Sequence, residues 1–202
     1  MNEIVVIAEG PVEKAIRKKL GDFVKEQCGD KPKRRLTFRK SNGPIETPKT
    51  KRIIDSLLQD RKIEAVVLLT DLHPDYSYVA TAKKKLMAWA GNNSRVHVHV
   101  AKYEFEAWLL SDWEMILKRA KIKNQSPWGP NPEEIDGNPE NKPSKRLERL
   151  FRSGKQKQNY KKVADGVELF NQLDLNLVAA KCPEFKRFIN TLLNLCGCEA
   201  LI

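Results

Sequence analysis

The sequence predicts an α/β fold, in which helices flank a mostly parallel β-sheet and a helical C-terminal extension follows. Two short apolar runs, at residues 4–8 and 64–70, have the unbroken hydrophobicity of strands buried on both faces. Segments with helical spacing alternate with the strand segments through the first part of the chain. This alternation is typical of parallel sheets, because each parallel strand needs a crossover connection. We expect the α/β domain over residues 1–122, with the extension over residues 123–202 packed on it.

Four strands are predicted in the α/β domain, each followed by a helix. Pro11 suits the first position of the first helix, and the second strand alternates polar and apolar residues. Apolar residues recur at helical spacing in the second helix, and Val96, Val98 and Val100 alternate in the last strand. The strands are expected at residues 4–8, 35–40, 64–70 and 96–100. The helices are expected at residues 11–27, 49–61, 77–90 and 104–120.

The predicted extension begins with an irregular connection. Five prolines and two glycines lie between residues 124 and 145, a composition that breaks regular structure. Helical patterns follow at residues 144–152, 160–172 and 183–196. We therefore expect a long loop and then a group of helices.

The charge balance indicates a polyanionic partner. The chain has 37 Lys and Arg against 26 Asp and Glu, a net charge of +11. Nine basic residues and one acid lie between residues 142 and 162, and eleven basic residues and three acids between residues 14 and 40. Each nucleic-acid phosphate that lysine or arginine neutralises adds affinity, although a solvated basic face is the alternative. We expect nucleic acid to contact Lys145, Arg146, Arg149, Arg152, Lys161 and Lys162.

We expect neither a membrane span nor an export signal in this sequence. No apolar run reaches the roughly 18–20 residues of a membrane span, and the N-terminus lacks the basic region of a signal peptide. We therefore expect a cytoplasmic protein without membrane contact. In that reducing compartment Cys28, Cys182, Cys196 and Cys198 are expected to be free thiols. The close pair near the C-terminus lacks the spacing of zinc ligands.

Acidic residues follow three of the four predicted strands. Glu9 follows the first strand, Asp71 the third, and Glu104 and Glu106 the fourth. The carboxyl ends of parallel strands share one edge of the sheet, so these carboxylates are expected to converge there. Oxygen ligands of this kind suit Mg²⁺ or Mn²⁺. Taken singly, an acid after a strand is equally consistent with a helix cap.

Several segments resemble a known fold family. The segments are EGPVE at residues 9–13, LLTD at residues 68–71 and YEFEAWLLSD at residues 103–112. They resemble the Toprim fold, and more narrowly a Toprim-like family of unknown function that often accompanies ATPases in bacterial anti-phage loci. PSKRL, YKK and CPEF, which begin at residues 143, 160 and 182, extend the resemblance into the C-terminal part.

The resemblance implies roles for individual residues. Glu9 matches the Toprim glutamate that serves as a general acid/base or a metal ligand, and Asp71 matches the first aspartate of the metal-binding DxD pair. The second aspartate of that pair is replaced by His73, with Asp75 two residues further along as a candidate substitute. This departure puts two-metal chemistry in doubt.

The late acidic motif of the family corresponds to Glu104 and Glu106. Two helical residues separated by one position project about 200° apart, so only one of them is expected to face a metal. The sequence leaves open which of the two it is.

Two functions follow from these observations. The first is a Mg²⁺- or Mn²⁺-dependent nuclease acting on DNA or RNA, serving as an anti-phage effector with an ATPase partner. The second is a catalytically silent Toprim-like module that binds nucleic acid or a partner ATPase. The broken DxD pair favours the second function.

Histidine and tryptophan positions carry weaker signals. His97 and His99 share the face of a strand opposite its valines, where an exposed polar role is commoner than metal binding. Trp108 and Trp113 are expected to pack in the core, and Trp128 is the candidate for stacking on a base.

Overall fold

The four strands form one parallel sheet. The computed structural model describes residues 2–9, 12–29, 32–41, 43–72, 76–127, 131–134, 141–154 and 159–201, without the side chains of residues 12–15. The sheet order is β2-β1-β3-β4, and all neighbouring strands are parallel. The strands are β1 (Glu3–Glu9), β2 (Arg35–Ser41), β3 (Ile63–Asp71) and β4 (Val96–Ala101). This architecture confirms the predicted α/β fold class with a parallel sheet flanked by helices.

Helices connect the strands and follow the sheet. The first three are α1 (Val12–Gln27), α2 (Pro48–Gln59) and α3 (Val79–Trp89). Two short helices follow β4, α4 (Glu106–Leu109) and α5 (Trp113–Ala120). The C-terminal helices are α6 (Pro143–Ser153), α7 (Ala164–Gln172), α8 (Leu175–Lys181) and α9 (Pro183–Cys196).

The direction of the strand order reverses between β1 and β3. From β1 the chain crosses to β2 on one side, then returns past β1 to β3 on the other. Ligands of open parallel sheets bind outside the carboxyl ends of the strands at such a reversal. Glu9 ends β1 and Asp71 ends β3, so both lie at this position in the sheet.

Both faces of the sheet are buried, which explains the unbroken apolar run in β1. Ile4, Val6 and Ala8 pack in one hydrophobic cluster with α1 and the C-terminal helices. Val5 and Ile7 point to the opposite face and pack in a second cluster with α2 and α3. Successive side chains of a strand alternate between faces, so a strand covered on both sides has no polar face.

The helices after the proline-rich connection share the core of the sheet. The Trp108 ring packs against Phe185, with 4.9 Å between centroids, and stacks on Phe188 at 6.0 Å. All three rings belong to the cluster that contains Ile4 and Val6. Trp108 is fully buried, as the sequence predicts.

One helical prediction is wrong, and one helix is missing from the predictions. The helix predicted over residues 104–120 is divided into α4 and α5, because the Asp112 carboxylate accepts a hydrogen bond from the Met115 amide and starts a new helix. Helix α8 was not predicted. The Asp174 carboxylate caps it by accepting hydrogen bonds from the amides of Asn176 and Leu177.

The cysteine prediction is wrong for one pair. Cys28, after α1, and Cys198, after α9, form a disulfide with 5.3 Å between their Cα atoms. Gly197 ends α9 with φ 79°, a left-handed conformation that glycine adopts without strain and that turns the chain towards Cys28. Cys182 and Cys196 are free thiols, as predicted, and both are buried.

Within the described residues, no helix combines the length and the apolar character that crossing a membrane requires.

Candidate carboxylate site

The carboxyl ends of β1 and β3 form a small pocket. The Thr70 hydroxyl donates a hydrogen bond to the Glu9 carboxylate, which links the two strand ends. Glu9, Thr70, Asp71 and Phe105 are among the residues that line the pocket, whose volume is about 10 Å³. That volume is close to the minimum needed for one water molecule. The structure therefore brings Glu9 and Asp71 to one place, as the strand order requires.

Asp71 is held in position by the backbone after β4. Its Oδ1 atom accepts a hydrogen bond of 2.8 Å from the Phe105 amide. Its Oδ2 atom lies 3.9 Å from the Lys162 ammonium. Burial, together with a smaller effect of the Glu106 carboxylate, raises the pKa of Asp71 to about 8, although Lys162 acts in the opposite direction. Negative charge on Asp71 is thus poorly stabilised by the protein alone.

Glu106 is the most deeply buried carboxylate of the site. It begins α4, and only 1% of its side chain is exposed. The Tyr160 hydroxyl donates to its Oε1 atom over 3.3 Å, and the Lys162 ammonium lies 3.2 Å from its Oε2 atom. Burial raises the pKa of Glu106, and the ion pair with Lys162 counteracts that increase.

Lys162 bridges the two buried carboxylates from the segment before α7. The sequence predicts nucleic-acid binding for this residue, and the structure places its ammonium beside Asp71 and Glu106. Burial acts to lower the pKa of Lys162, but the neighbouring carboxylates raise it above its usual value. Its side chain is still 44% exposed. Tyr160 and Lys162 are therefore site residues that the sequence analysis did not identify as such, although YKK was among the quoted segments.

Glu104 has different surroundings from Glu106. Its Oε2 atom accepts a hydrogen bond of 3.0 Å from the Ser144 amide in the first turn of α6. A carboxylate at this position satisfies a helix amide that has no partner inside the helix. The structure thus separates two acids that the sequence could not distinguish. Predicted site residue Asp75 and neighbouring His73 lie outside the described residues.

A buried glutamate supports the pocket from behind. Glu133, in the proline-rich connection, accepts a 3.0 Å hydrogen bond from the indole of Trp108, which lines the pocket. Its other oxygen accepts a 3.0 Å hydrogen bond from the Glu184 amide at the start of α9. Burial raises the pKa of Glu133. No motif in the sequence analysis singled out this residue, because its partners are distant along the chain.

Most of the predicted nucleic-acid contacts in the extension already have protein partners. Lys145 forms an ion pair of 2.9 Å with a glutamate of the same helix. Arg146 is buried and donates to a backbone carbonyl at 2.9 Å. Arg149 and Arg152 each donate to an asparagine side chain at 3.3 Å. Lys161 is exposed.

The two histidines of β4 face α9. His99 is buried and its ring packs against Phe188, with 5.5 Å between centroids. Burial lowers the pKa of His99 to about 3, so the ring is neutral at physiological pH. In the described part of the chain, no three histidine, cysteine or acidic side chains are already arranged to hold a metal ion.

The donor set at the strand ends nevertheless fits a hard cation. Glu9, Asp71 and Glu106 offer carboxylate oxygens, the ligands that Mg²⁺ and Mn²⁺ prefer. The nearby cation in the structure is the Lys162 ammonium, carried on a flexible and partly exposed side chain. A divalent ion would stabilise negative charge on these carboxylates more strongly than Lys162 alone does.

Comparison with known proteins identifies a family for nearly the whole chain. A search of curated proteins found no match, and a search of solved structures found none. Residues 8–193 match the family described as Domain of unknown function (DUF4276), a span that includes the end of β1, the strands β2 to β4, the carboxylate site and the C-terminal helices as far as residue 193. The chain therefore belongs to the DUF4276 family.

Proposed function

We propose that this protein is a Mg²⁺- or Mn²⁺-dependent nuclease that hydrolyses phosphodiester bonds of DNA or RNA. The supporting observation is that Glu9 and Asp71 line one pocket where the strand order of a parallel sheet reverses, and that the charge of Glu106 acts on Asp71. Partly buried carboxylates repel each other, and a cation relieves that repulsion. A protein with a net charge of +11 is also suited to a polyanionic substrate.

Glu9, Asp71 and Glu106 would hold the ion. When bound, it would supply a water of lowered pKa and neutralise charge on the phosphate. Glu9 accepts the Thr70 hydrogen bond, which fixes its carboxylate at the end of β1. In that position it can accept a proton from the attacking water. The Phe105 amide orients Asp71, and the Tyr160 hydroxyl orients Glu106.

Substitution of the proposed ligands tests this function. We expect Mn²⁺ to raise the melting temperature of the wild type by binding the folded state, and Asp71→Asn to abolish the rise. Glu9→Gln should lower metal-dependent cleavage by roughly 10²–10⁴-fold, the usual effect of losing a positioned acid/base. The matched control is Glu114→Gln, an exposed acid in α5, which should retain both properties.

Two results would contradict the nuclease proposal. The first is full Mn²⁺ stabilisation in Asp71→Asn, which would place the ion elsewhere. The second is cleavage by Glu9→Gln at the wild-type rate. The cleavage assay should use both DNA and RNA and should be repeated with any ATPase encoded beside this protein, because an effector can depend on its partner.

A second candidate function is a catalytically silent module that binds nucleic acid or a partner ATPase. The observation in its favour is Lys162, whose ammonium lies 3.2 Å from the Glu106 carboxylate and 3.9 Å from Asp71 and so supplies a positive charge to the site without any metal. A silent module should bind no Mn²⁺ saturably, so calorimetric titration of Mn²⁺ distinguishes the two functions. Saturable binding that disappears in Asp71→Asn would exclude the silent module.

A further inference from the structure

A second basic surface lies beside the edge strand of the sheet. Arg39 of β2 and two residues near the start of α2, Lys49 and Arg52, line an open groove of about 430 Å³. Ile53 and Leu57 of α2 form an apolar part of the wall, and Asp60 is the only acid among the lining residues, all of which lie in the described part of the chain. We call this the β2–α2 groove.

The three cations of the β2–α2 groove are available for a ligand. Arg39, Lys49 and Arg52 are all exposed, and none forms an ion pair or side-chain hydrogen bond with another described residue. Their environment differs from that of α6, where Lys145 is ion-paired and Arg146 is buried. The groove therefore presents three exposed cations that have no protein partner elsewhere in the described structure.

One end of the groove lies at the carboxyl end of the sheet, where the carboxylate site also lies. Ser41 at the end of β2 pairs with Glu9, and Arg39 lies two residues earlier on the same strand. The chain leaves the carboxyl end of β2 and enters α2, so the first turns of α2 also belong to this edge. The Tyr76 hydroxyl donates to Glu46, which joins the segment before α2 to the segment after β3.

We propose that the β2–α2 groove binds the phosphate backbone of the nucleic acid that the carboxylate site cleaves, an inference that rests on the proposed function in its choice of ligand. Arg39, Lys49 and Arg52 bind phosphates in the groove, which directs the adjacent strand towards Glu9 and Asp71. Contacts of this kind position a nucleic acid without reading its sequence. The extension of the chain then contributes less to binding than its density of basic residues predicts.

The test is the salt dependence of binding without divalent metal. The probe is a short fluorescein-labelled DNA duplex, titrated in EDTA with the wild type and with the triple variant Arg39→Gln, Lys49→Gln, Arg52→Gln. Each lost phosphate contact reduces the slope of log affinity against log salt by about 0.9. A fourfold rise in salt lowers the affinity of the wild type. When three contacts are lost, the decrease produced by the same rise should be about 40-fold smaller.

A charge-matched control isolates the groove from net charge. Arg17 and Lys25 of α1 and Lys118 of α5 are exposed and lie outside the groove, and their triple replacement by glutamine should leave the slope unchanged. The charge reversal Arg52→Glu should weaken binding more than Arg52→Gln. Because Arg52 is exposed, the reversal should cost little stability. Thermal melts of every variant confirm that the fold is intact.

Three results would overturn the proposal. They are a wild-type slope in the groove variant, an equal loss of slope in the control variant, and tighter groove-dependent binding of poly-glutamate than of DNA, which would indicate an acidic protein partner. Failure of the nuclease proposal is distinguishable from these results. Groove-dependent binding without any cleavage would refute the nuclease proposal and support binding by the groove. Cleavage by the groove variant with an unchanged KM would support the nuclease proposal and refute binding by the groove.

Discussion

Replacing Asp71 with asparagine should stabilise the metal-free protein. The substitution keeps the shape of the side chain, and the amide oxygen can still accept the hydrogen bond from Phe105. It removes the carboxyl group whose pKa burial and the Glu106 charge raise to about 8. Residues that serve function often destabilise the fold, so a gain in stability here would support a functional role for Asp71.

The size of the effect follows from the pKa of Asp71. Its ordinary pKa is 3.8, so at pH 7 folding requires Asp71 to take up a proton that the unfolded chain has released. At about 1.4 kcal/mol per pKa unit, this uptake costs about 4 kcal/mol at pH 7 and about 2 kcal/mol at pH 5. The side chain is 26% exposed, and access to water reduces both values. We expect Asp71→Asn to gain about 2 kcal/mol at pH 7 and about 1 kcal/mol at pH 5.

Urea unfolding in EDTA measures this gain. An acid whose folded pKa is raised binds more protons when folded, so its contribution to stability falls as pH rises from about 4 towards 8. The advantage of Asp71→Asn should therefore increase between pH 5 and pH 7, and Glu114→Gln should show no such change. A variant that is destabilised at pH 7, or whose advantage shrinks as pH rises, would refute the electrostatic account of the site.

Three further predictions concern single side chains. Cys28→Ser should lower the free energy of unfolding by about 2–5 kcal/mol in oxidising buffer, because the disulfide joins residues with a sequence separation of 170. When the wild type and the variant are both denatured in dithiothreitol, this difference should disappear. The pKa of the buried His99 is lowered to about 3, so the stability that its neutral ring contributes is lost as pH falls below 6.5. The variant His99→Leu should therefore lose about 2–3 kcal/mol less stability than the wild type between pH 7 and pH 4.5. Glu106→Gln should abolish stabilisation by Mn²⁺, whereas Glu104→Ala should keep it. Glu104→Ala should also lower stability by about 1 kcal/mol, because it removes the acceptor for the Ser144 amide at the start of α6. Melting curves with and without Mn²⁺ measure both effects.

The parts of the fold that follow from local pattern were predictable. A strand covered on both faces must be apolar throughout, so β1 and β3 stand out in the sequence. The parallel arrangement then places Glu9 and Asp71 at one edge without any further information. The predicted convergence of these two acids is a consequence of topology.

The parts of the site that depend on distant contacts were not predictable. Lys162 belongs to a basic stretch, and only the packing of its segment against the sheet reveals its pairing with Glu106. Glu104 and Glu106 differ in role because the helix α6 begins beside only one of them. The Cys28–Cys198 bridge likewise depends on where two helices end in space.

The last prediction concerns the α/β domain over residues 1–122 and the C-terminal extension over residues 123–202, the two parts inferred from the sequence. Truncation after residue 122 should prevent folding, although every strand of the sheet lies before that position. Ile4, Val6 and Trp108 pack in a cluster with residues of α6, α7, α8 and α9, and removal of these helices would expose one face of the sheet to water.

The carboxylate site would also lose its partners in such a truncation. Glu106 is 1% exposed, and both Tyr160 and Lys162 come from the removed part. Loss of the partner of a buried charge typically costs 3–5 kcal/mol, a large share of the roughly 5–15 kcal/mol that stabilise a whole domain. Circular dichroism during thermal unfolding tests this expectation. A truncated chain that unfolds cooperatively would mean that the sheet forms an independent unit, and the C-terminal helices would then be an accessory to the site.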